Sequence, residues 1–125
     1  VRKDFDGAEA AYRAAIAADP GYPDAYYNLG LLLWQERKDF DGAEAAYRAA
    51  IAADPGNADA HNNLGLLLED VRQDFDGAEA AYRAAIVADP GNTDAHHNLG
   101  LLLELRAKAI EKSGGDLAKA AALYD

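Results

Sequence analysis

The chain has 125 residues, half of them apolar, and carries 22 acidic against 12 basic side chains for a formal net charge of −10. Nucleic acids and anionic membrane surfaces both attract Lys and Arg, so neither is expected as a partner of so acidic a chain. It has no cysteine, which excludes disulfides and thiolate metal sites.

An eighteen-residue segment, DFDGAEAAYRAAIAADPG, organises the chain. It occurs at Asp4–Gly21 and Asp39–Gly56, and again at Asp74–Gly91 with Val87 as its single change. The copies are 35 residues apart, a period typical of stacked helical repeats. We therefore expect one domain over residues 1–125. It divides into a lone helix of an incomplete repeat (1–22), two repeats (23–57 and 58–92), and an extended, C-terminally truncated repeat (93–125).

The first helix is predicted over Asp4–Ala18, where apolar residues recur at three- and four-residue intervals: Phe5, Ala8, Tyr12, Ala15 and Ile16. Asp4 can act as its N-cap, or Asp6 and Glu9 can form a capping box half a turn later. Asp19-Pro20-Gly21 ends the helix, because the residue before a proline is pushed out of the α region.

A second kind of helix is predicted over Asp24–Glu36, with Pro23 in its first turn and Leu29, Leu32 and Leu33 facing inward. Gly30 lies in its middle and recurs as Gly65 and Gly100. This recurrence indicates a neighbouring backbone that approaches too closely for a Cβ. The plan then continues with helices over Ala58–Val71 behind the N-cap Asn57, over Phe75–Ala88, and from Thr93 behind the N-cap Asn92.

The last repeat contains an insertion of seven residues, since the aspartate due at position 109 appears as Asp116. Seven residues are about two α-helical turns and keep the apolar face in phase. We expect the Thr93 helix to run to about Lys112, a turn at Ser113-Gly114-Gly115, and a final helix over Asp116–Asp125. The prediction is an all-α chain of about seven helices.

At this point the sequence resembles the tetratricopeptide repeat, a helix–turn–helix unit of about 34 residues. One copy of the family pattern reads, in order, Tyr26, Leu29-Gly30, Leu33, Ala43, Tyr47 and Pro55, and the next reads His61, Leu64-Gly65, Leu68, Ala78, Tyr82 and Pro90. The third copy opens with His96, Leu99-Gly100 and Leu103, and continues across its insertion with Ala120 and with Tyr124, the match to Tyr47. The resemblance implies a right-handed α-solenoid of antiparallel helix pairs, with Ala43 against Gly30 and a weaker packing contact where histidine replaces Tyr26.

The resemblance also implies a function, because the first helix of each pair in this family lines a concave groove that receives an extended peptide. We therefore expect a non-catalytic scaffold that binds proteins or peptides, without a cofactor. Carried over residue by residue, the groove would be lined by Asp24, Tyr27, Asn28, Leu31, Trp34, Asp59, Asn62, Asn63, Leu66, Glu69, Asp94, His97, Asn98, Leu101 and Glu104.

These positions have a plausible binding chemistry. The asparagines offer donors and acceptors to a peptide backbone, Tyr27 and Trp34 are the strongest hot-spot candidates, and the acidic side chains favour a basic ligand. Each has a structural alternative. The aspartates also complement helix N-termini, the leucines are equally suited to burial by a neighbouring helix, and Trp34 is suited to covering the core.

The sequence gives little support for metal binding, catalysis or capture of a C-terminal carboxylate. Asp-Phe-Asp-Gly lacks the distal glutamate of a calcium loop. His61, His96 and His97 with Asp59 and Asp94 invite a metal site, but the first two occupy equivalent places in successive repeats and the last two diverge on one helix. No nucleophile–base pair or phosphate-binding loop is visible, so no enzyme activity is expected. Family members that clamp a C-terminal carboxylate use lysines, whereas the corresponding positions here are acidic or neutral: Asp24, Tyr27, Asp59, Asn62, Asp94 and His97.

Two further readings stay open. Exposed solenoid ends predict a homo-oligomer through head-to-tail contacts, which are heterologous and extend into open chains. The near-identity of the copies is equally typical of a consensus or designed repeat without a natural ligand. The longest apolar run is too short to span a bilayer and no secretory signal opens the chain, so a soluble, cytoplasmic protein is expected.

Overall fold

The computed structural model describes the backbone of residues 4–124 and the side chains of residues 4–115. Over this range the chain forms helices and no strand. The six helices are α1 (Phe5–Ala18), α2 (Pro23–Gln35), α3 (Phe40–Ala53), α4 (Ala58–Asp70), α5 (Phe75–Ala88) and α6 (Thr93–Tyr124). The predicted all-α repeat fold is confirmed.

The helices pack in chain order. The most extensive contacts join α2 to α3 and α4 to α5, and smaller interfaces link α1 to α2, α3 to α4 and α5 to α6. Each helix therefore touches mainly its chain neighbours, as in a quasi-one-dimensional solenoid. None of the described helices combines the length and apolar character needed to cross a membrane.

Local caps fix where the helices begin. Oδ1 of Asp4 accepts a hydrogen bond from the Gly7 amide at 2.8 Å, and Asp39 and Asp74 make the same bond to the glycine three residues on. Asp4 is thus the N-cap of the helix, and of the two predicted starts the later one, the capping box at Asp6, is not adopted. The predicted caps Asn57 and Asn92 are confirmed by their bonds to the amides three residues on.

A tyrosine ring seated on a helical glycine joins the helices of each complete pair. A Cβ built on Gly30 would lie 2.6 Å from Cε1 of Tyr47, and one on Gly65 would lie 2.6 Å from the same atom of Tyr82. Both tyrosines are fully buried. The close neighbour of Gly30 is therefore an aromatic ring, and the expectation of a neighbouring backbone at this glycine is wrong. Gly100 has no described atom within 4 Å of such a Cβ.

The turn inside each complete pair contains one left-handed residue, Lys38 with φ 56° and Gln73 with φ 57°. This residue reverses the chain so that the amide of the next aspartate donates to a carbonyl of the preceding helix, at 2.8 Å from Asp39 N to Leu33 O. The same turn recurs in both complete pairs, in keeping with the period of 35 residues.

Arginines tie successive repeats together from outside the core. Arg37 pairs with Asp6 and Glu9 of α1, and Arg72 pairs in the same way with two acids of α3. Hydrogen bonding to the aspartate raises the pKa of each guanidinium. Arg106 of α6 holds Asp76 and Glu79 of α5, so the last helix keeps the same link although its register has changed.

The predicted hairpin after Lys112 is wrong, because α6 continues without a break through Ser113, Gly114 and Gly115 to Tyr124. The stretch before the glycines is rich in strong helix formers, and each glycine costs a helix only about 1 kcal/mol relative to alanine. The described chain therefore has six helices instead of about seven. Asp125 and the side chains from residue 116 onward, including the predicted match of Tyr124 to Tyr47, lie outside the described residues.

The surroundings of these glycines predict that the same glycine-to-alanine substitution has opposite effects at equivalent positions. Gly30→Ala and Gly65→Ala push a Cβ into a buried ring, so each lowers the free energy of unfolding by about 1–2 kcal/mol. At Gly100 a Cβ meets no described atom within 4 Å, so Gly100→Ala only adds helix propensity. It raises the free energy of unfolding by up to about 1 kcal/mol. Urea unfolding followed by circular dichroism measures all three. Equal losses at the three positions would contradict the packing described.

The left-handed turn residues give a second prediction. Lys38→Gly relieves a backbone conformation that costs L-residues about 1–2 kcal/mol, and after the entropy of glycine it raises stability by roughly 0.5–1 kcal/mol. Gln73→Gly relieves the same conformation but gains less, because it also removes the hydrogen bonds from Nε2 of Gln73 to the carbonyl oxygens of Glu69 and Asp70. Lys108→Gly is the matched control, since this residue lies 35 positions after Gln73 but inside helix α6. There glycine lowers stability by about 1 kcal/mol. Thermal unfolding reports the sign of each change.

Candidate functional site

The fifteen residues predicted to line a groove all lie on α2, α4 and the first part of α6, and are called here the predicted groove face. Their exposure falls into three groups. Six are exposed: Asp24, Asp59, Asp94, His97, Leu101 and Glu104. Eight are half-buried: Tyr27, Asn28, Leu31, Trp34, Asn63, Leu66, Glu69 and Asn98. Only Asn62 is buried, at 7% exposure.

Side-chain amides join one repeat to the next across this face. Nδ2 of Asn63 donates to the hydroxyl of Tyr27 at 3.1 Å, and Nδ2 of Asn98 donates to Oδ1 of Asn62 at the same distance. The two bonds are equivalent, since each connects positions 36 residues apart. Asn62 therefore serves the scaffold and offers little surface to a ligand, contrary to its predicted role. Asn98 keeps a second amide hydrogen and the carbonyl oxygen among the described residues, whereas the Asn63 amide also lies within hydrogen-bonding reach of the Tyr47 hydroxyl.

Three aromatic rings cluster at the first repeat. The ring centroids of Tyr27 and Tyr47 are 6.2 Å apart, and those of Trp34 and Tyr47 are 6.3 Å apart with the planes at 70°. The first pair is tilted and the second is close to edge-to-face, a geometry that stabilises aromatic pairs beyond the area they bury. Trp34 thus packs on the core, as its structural alternative holds, and it also keeps part of its surface on the predicted groove face together with Tyr27.

In the second repeat the equivalent tyrosine, Tyr82, has a carboxylate beside its hydroxyl. The hydroxyl of Tyr82 donates to Oε1 of Glu69 at 2.9 Å. Burial together with this carboxylate raises the pKa of Tyr82, so the hydroxyl remains a donor at neutral pH. Glu69 is therefore held in place by the core of its own repeat.

The first repeat lacks this carboxylate, because Trp34 occupies the position equivalent to Glu69. The Tyr47 hydroxyl is fully buried and has no hydrogen-bond partner among the described residues. An unsatisfied buried donor costs about 1–3 kcal/mol. Tyr47 was not among the predicted site residues. The signal in the sequence was the exchange of glutamate for tryptophan beside a retained tyrosine.

The predicted groove face is acidic throughout. Residues 23–35, 58–70 and 93–105 contain no Lys or Arg but include Asp24, Asp59, Glu69, Asp70, Asp94 and Glu104. Burial is the main cause that raises the pKa of the Tyr27 hydroxyl, and the negative charge of Asp59 adds to it. Three of the aspartates lie in first helical turns, where they also complement the helix dipole.

The histidines at the start of α4 and α6 have a structural role. Nε2 of His61 lies 2.9 Å from the carbonyl oxygen of Pro55, and Nε2 of His96 lies 2.8 Å from that of Pro90. The hydroxyl of Tyr26 donates to the Pro20 carbonyl in the same way. Histidine thus preserves the hydrogen bond of the tyrosine it replaces. Within the described residues no three His, Asp or Glu side chains are grouped to hold a metal ion.

A separate hollow of about 500 Å³ lies between α3 and α5 above α4. Alanines and aliphatic side chains line most of it, including Ile51, Leu64 and Ala81, with Arg48, His61 and Asp74 among its polar members. It shares no residue with the predicted groove face. Few polar groups converge there, so it lacks the fixed polar contacts that orient a ligand.

These features define a class, an α-helical repeat scaffold with an aromatic and acidic face. A family model described as the tetratricopeptide repeat matches residues 2–58, 35–93 and 71–125. Together these matches take in almost the whole sequence, and the chain belongs to the tetratricopeptide repeat family.

Solved structures support the same fold. The first tetratricopeptide domain of Spaghetti (RPAP3), described as bound to the HSP90 peptide SRMEEVD, is 22% identical, with a TM-score of 0.73 over 82% of this chain and 80% of that chain. The MamA protein is 29% identical, with a TM-score of 0.72 over 86% of this chain and 59% of that chain. The Arabidopsis OM64 domain is 26% identical, with a TM-score of 0.69 over 78% and 79%. No curated protein matches the sequence.

Proposed function

We propose that this chain is a non-catalytic protein-interaction scaffold whose predicted groove face binds an extended, basic peptide. The observation that carries the proposal is the composition of this face. It presents two half-buried aromatic rings and an acidic surround with no Lys or Arg in the helical segments that form it. Binding sites commonly combine a few aromatic anchors with complementary charge that speeds association.

The position of the acids supports a ligand-binding role beyond helix capping. Glu69 and Asp70 are the last residues of α4, where the helix dipole disfavours negative charge. Asp70 is exposed. A carboxylate in this place gains more from a cation on a partner than from its own helix.

The remaining polar groups suit a peptide backbone. The carbonyl oxygens of Asn63 and Asn98 lie one repeat apart, and among the described residues Asn98 also keeps one amide hydrogen as a donor. Leu31, Leu66 and Leu101 add apolar contact between them. The peptide HSP90 SRMEEVD, with two glutamates and an aspartate, binds the related RPAP3 domain. Acidic charge of that kind is poorly matched to this face.

A labelled peptide of three Gly-Lys-Leu units, the basic probe, tests the proposal by fluorescence anisotropy at physiological salt. We expect it to bind about tenfold or more tighter than a matched Gly-Glu-Leu peptide or SRMEEVD. Trp34→Ala and Tyr27→Ala each weaken binding of the basic probe by about tenfold or more, because they remove the aromatic anchors. Val87→Ala, on the exposed side of α5, is the neutral control.

Asp70→Asn separates the charge argument from folding. It weakens binding of the basic probe by about two- to fivefold. It leaves the stability of the fold unchanged or higher, since it removes an unfavourable charge from a helix C-terminus. Equal affinity for the basic and acidic peptides, or indifference to both aromatic substitutions, would overturn the assignment of this face.

A second candidate function, self-assembly, has one observation in its favour. Leu103 of α6 is 38% exposed, whereas its equivalents Leu33 and Leu68 are buried under α3 and α5. Helix α1 has the same sequence as α3, so α1 of a second copy is the occupant that fits this face. Light scattering over a concentration range tests the contact. We expect the average mass to grow with concentration, and Leu103→Glu to abolish this growth. A monomer at every concentration would exclude the contact.

A further inference from the structure

Helix α6 carries a contact site for a tyrosine that no described side chain occupies. Gly100 is equivalent to Gly30 and Gly65, on which the rings of Tyr47 and Tyr82 lie. A Cβ built on Gly100 meets no described atom within 4 Å, and this glycine is exposed, whereas its two equivalents are buried. The surface of α6 at Gly100 can therefore receive a ring of the same kind.

The second part of this site is Glu104, four residues after Gly100. Its equivalent in α4 is Glu69, whose Oε1 accepts the hydroxyl proton of Tyr82 at 2.9 Å. Glu104 is exposed and pairs with Lys108 at 3.0 Å, an ion pair on the helix surface that contributes little stability. Helix α6 thus keeps the glycine and the carboxylate that hold the tyrosine in the second repeat.

Helix α1 carries the complementary surface. Its sequence is identical to that of α3, so Tyr12 is the equivalent of Tyr47. Tyr12 is half-buried, whereas Tyr47 is fully buried. Ala15 of α1 is exposed, whereas its equivalent Ala50 is also fully buried. The side of α1 that matches the most buried side of α3 is therefore open.

The packing of the helices agrees with these exposures. Helix α1 packs on α2 to the same extent as α3 packs on α4. Helices α3 and α5 each form a second and larger interface, with α2 and α4 respectively. Among the described residues neither α1 nor α6 forms an interface of this larger kind. One molecule thus presents two unused half-interfaces whose sequences match.

We propose that Tyr12 of a second copy lies on Gly100 and donates its hydroxyl proton to Glu104, so that α1 of that copy and α6 form a complete helix pair. The inference rests on the self-assembly proposed above and adds to it the contact that sets its register. Because α1 of the second copy already packs on its own α2, the solenoid continues through the contact. Each added copy leaves one surface of each kind open, as in any heterologous contact that does not close.

Two other occupants of Gly100 fit less well. A second α6 would give a closed dimer, but residues 93–115 contain no Tyr, Phe or Trp to place on the glycine. Tyr124 of the same chain matches Tyr47 in sequence, and its side chain lies outside the described residues. The backbone of α6 continues to Tyr124, 24 residues and roughly 36 Å along the helix from Gly100.

Two single variants and their mixture test the contact. Tyr12→Ala removes the ring from α1 and keeps α6 intact, whereas Gly100→Ala places a Cβ where the ring would lie and keeps α1 intact. Light scattering should show that each variant weakens self-association by roughly tenfold or more. Val87→Ala, at a residue 83% exposed on α5, should associate like the unsubstituted chain.

The mixture shows the direction of the contact. At a concentration where each variant alone is monomeric, an equimolar mixture should form a complex of two chains and nothing larger. The reason is that one intact α1 and one intact α6 remain, on different molecules. A mixture that stays monomeric, or a dimer that persists in Tyr12→Ala alone, would overturn the proposal.

Thermal unfolding of the monomer separates the second copy from Tyr124. Below the concentration of assembly, Gly100→Ala should raise the thermal midpoint, because it adds helix propensity and meets no described atom. A lowered midpoint would show that a ring of the same chain occupies Gly100, and would refute the contact between copies.

A double-mutant cycle tests the hydrogen bond. Tyr12→Phe and Glu104→Ala should each weaken association by roughly two- to tenfold, and the double variant should lose no more than the larger single loss. Losses that add in full would remove Glu104 from the contact.

The basic probe separates this inference from the groove ligand. Monomeric Tyr12→Ala and Gly100→Ala should bind it within about twofold of the unsubstituted chain, since neither residue belongs to the predicted groove face. Self-association that Leu103→Glu abolishes but Tyr12→Ala and Gly100→Ala both retain would keep self-assembly and reject the tyrosine contact.

Discussion

The fold depends on one contact, the seating of a tyrosine ring on a helical glycine. Tyr47 rests on Gly30 and Tyr82 on Gly65, and both rings are fully buried. Because glycine lacks a Cβ, the ring lies close against the partner helix. The leucines beside each glycine then pack into one continuous core across the repeats. At Gly100 no ring among the residues with described side chains makes this contact.

The same tyrosine links the scaffold to the predicted groove face, because its hydroxyl ends beneath the residue that follows the glycine by four positions. Glutamate at this position, as in Glu69, closes the hydrogen bond internally. Tryptophan, as in Trp34, leaves the donor unpaired and adds an aromatic surface. The two complete repeats thus differ in whether this buried hydroxyl has an acceptor within its own repeat. Functional sites commonly carry such local costs.

Local chemistry made much of the fold readable from the sequence. The bounds of α5 were predicted without error, and the aspartate and asparagine caps lie where the motif placed them, since capping depends on a few adjacent residues. Features set by tertiary geometry were missed. The partner of Gly30 depends on a ring orientation, the burial of Asn62 depends on the offset between repeats, and the path of α6 depends on whether a helix folds back over it. The unpaired Tyr47 hydroxyl required all three kinds of information.

The predicted groove face contains the single tryptophan of the chain, so intrinsic fluorescence tests the central claim directly. Titration of the unlabelled basic probe should shift the emission of Trp34 saturably, with a midpoint that moves to higher peptide concentration as salt increases. The acidic peptide should leave the emission unchanged. Saturable binding of the basic probe, seen by calorimetry, without any change at Trp34 would place the ligand elsewhere and contradict the account.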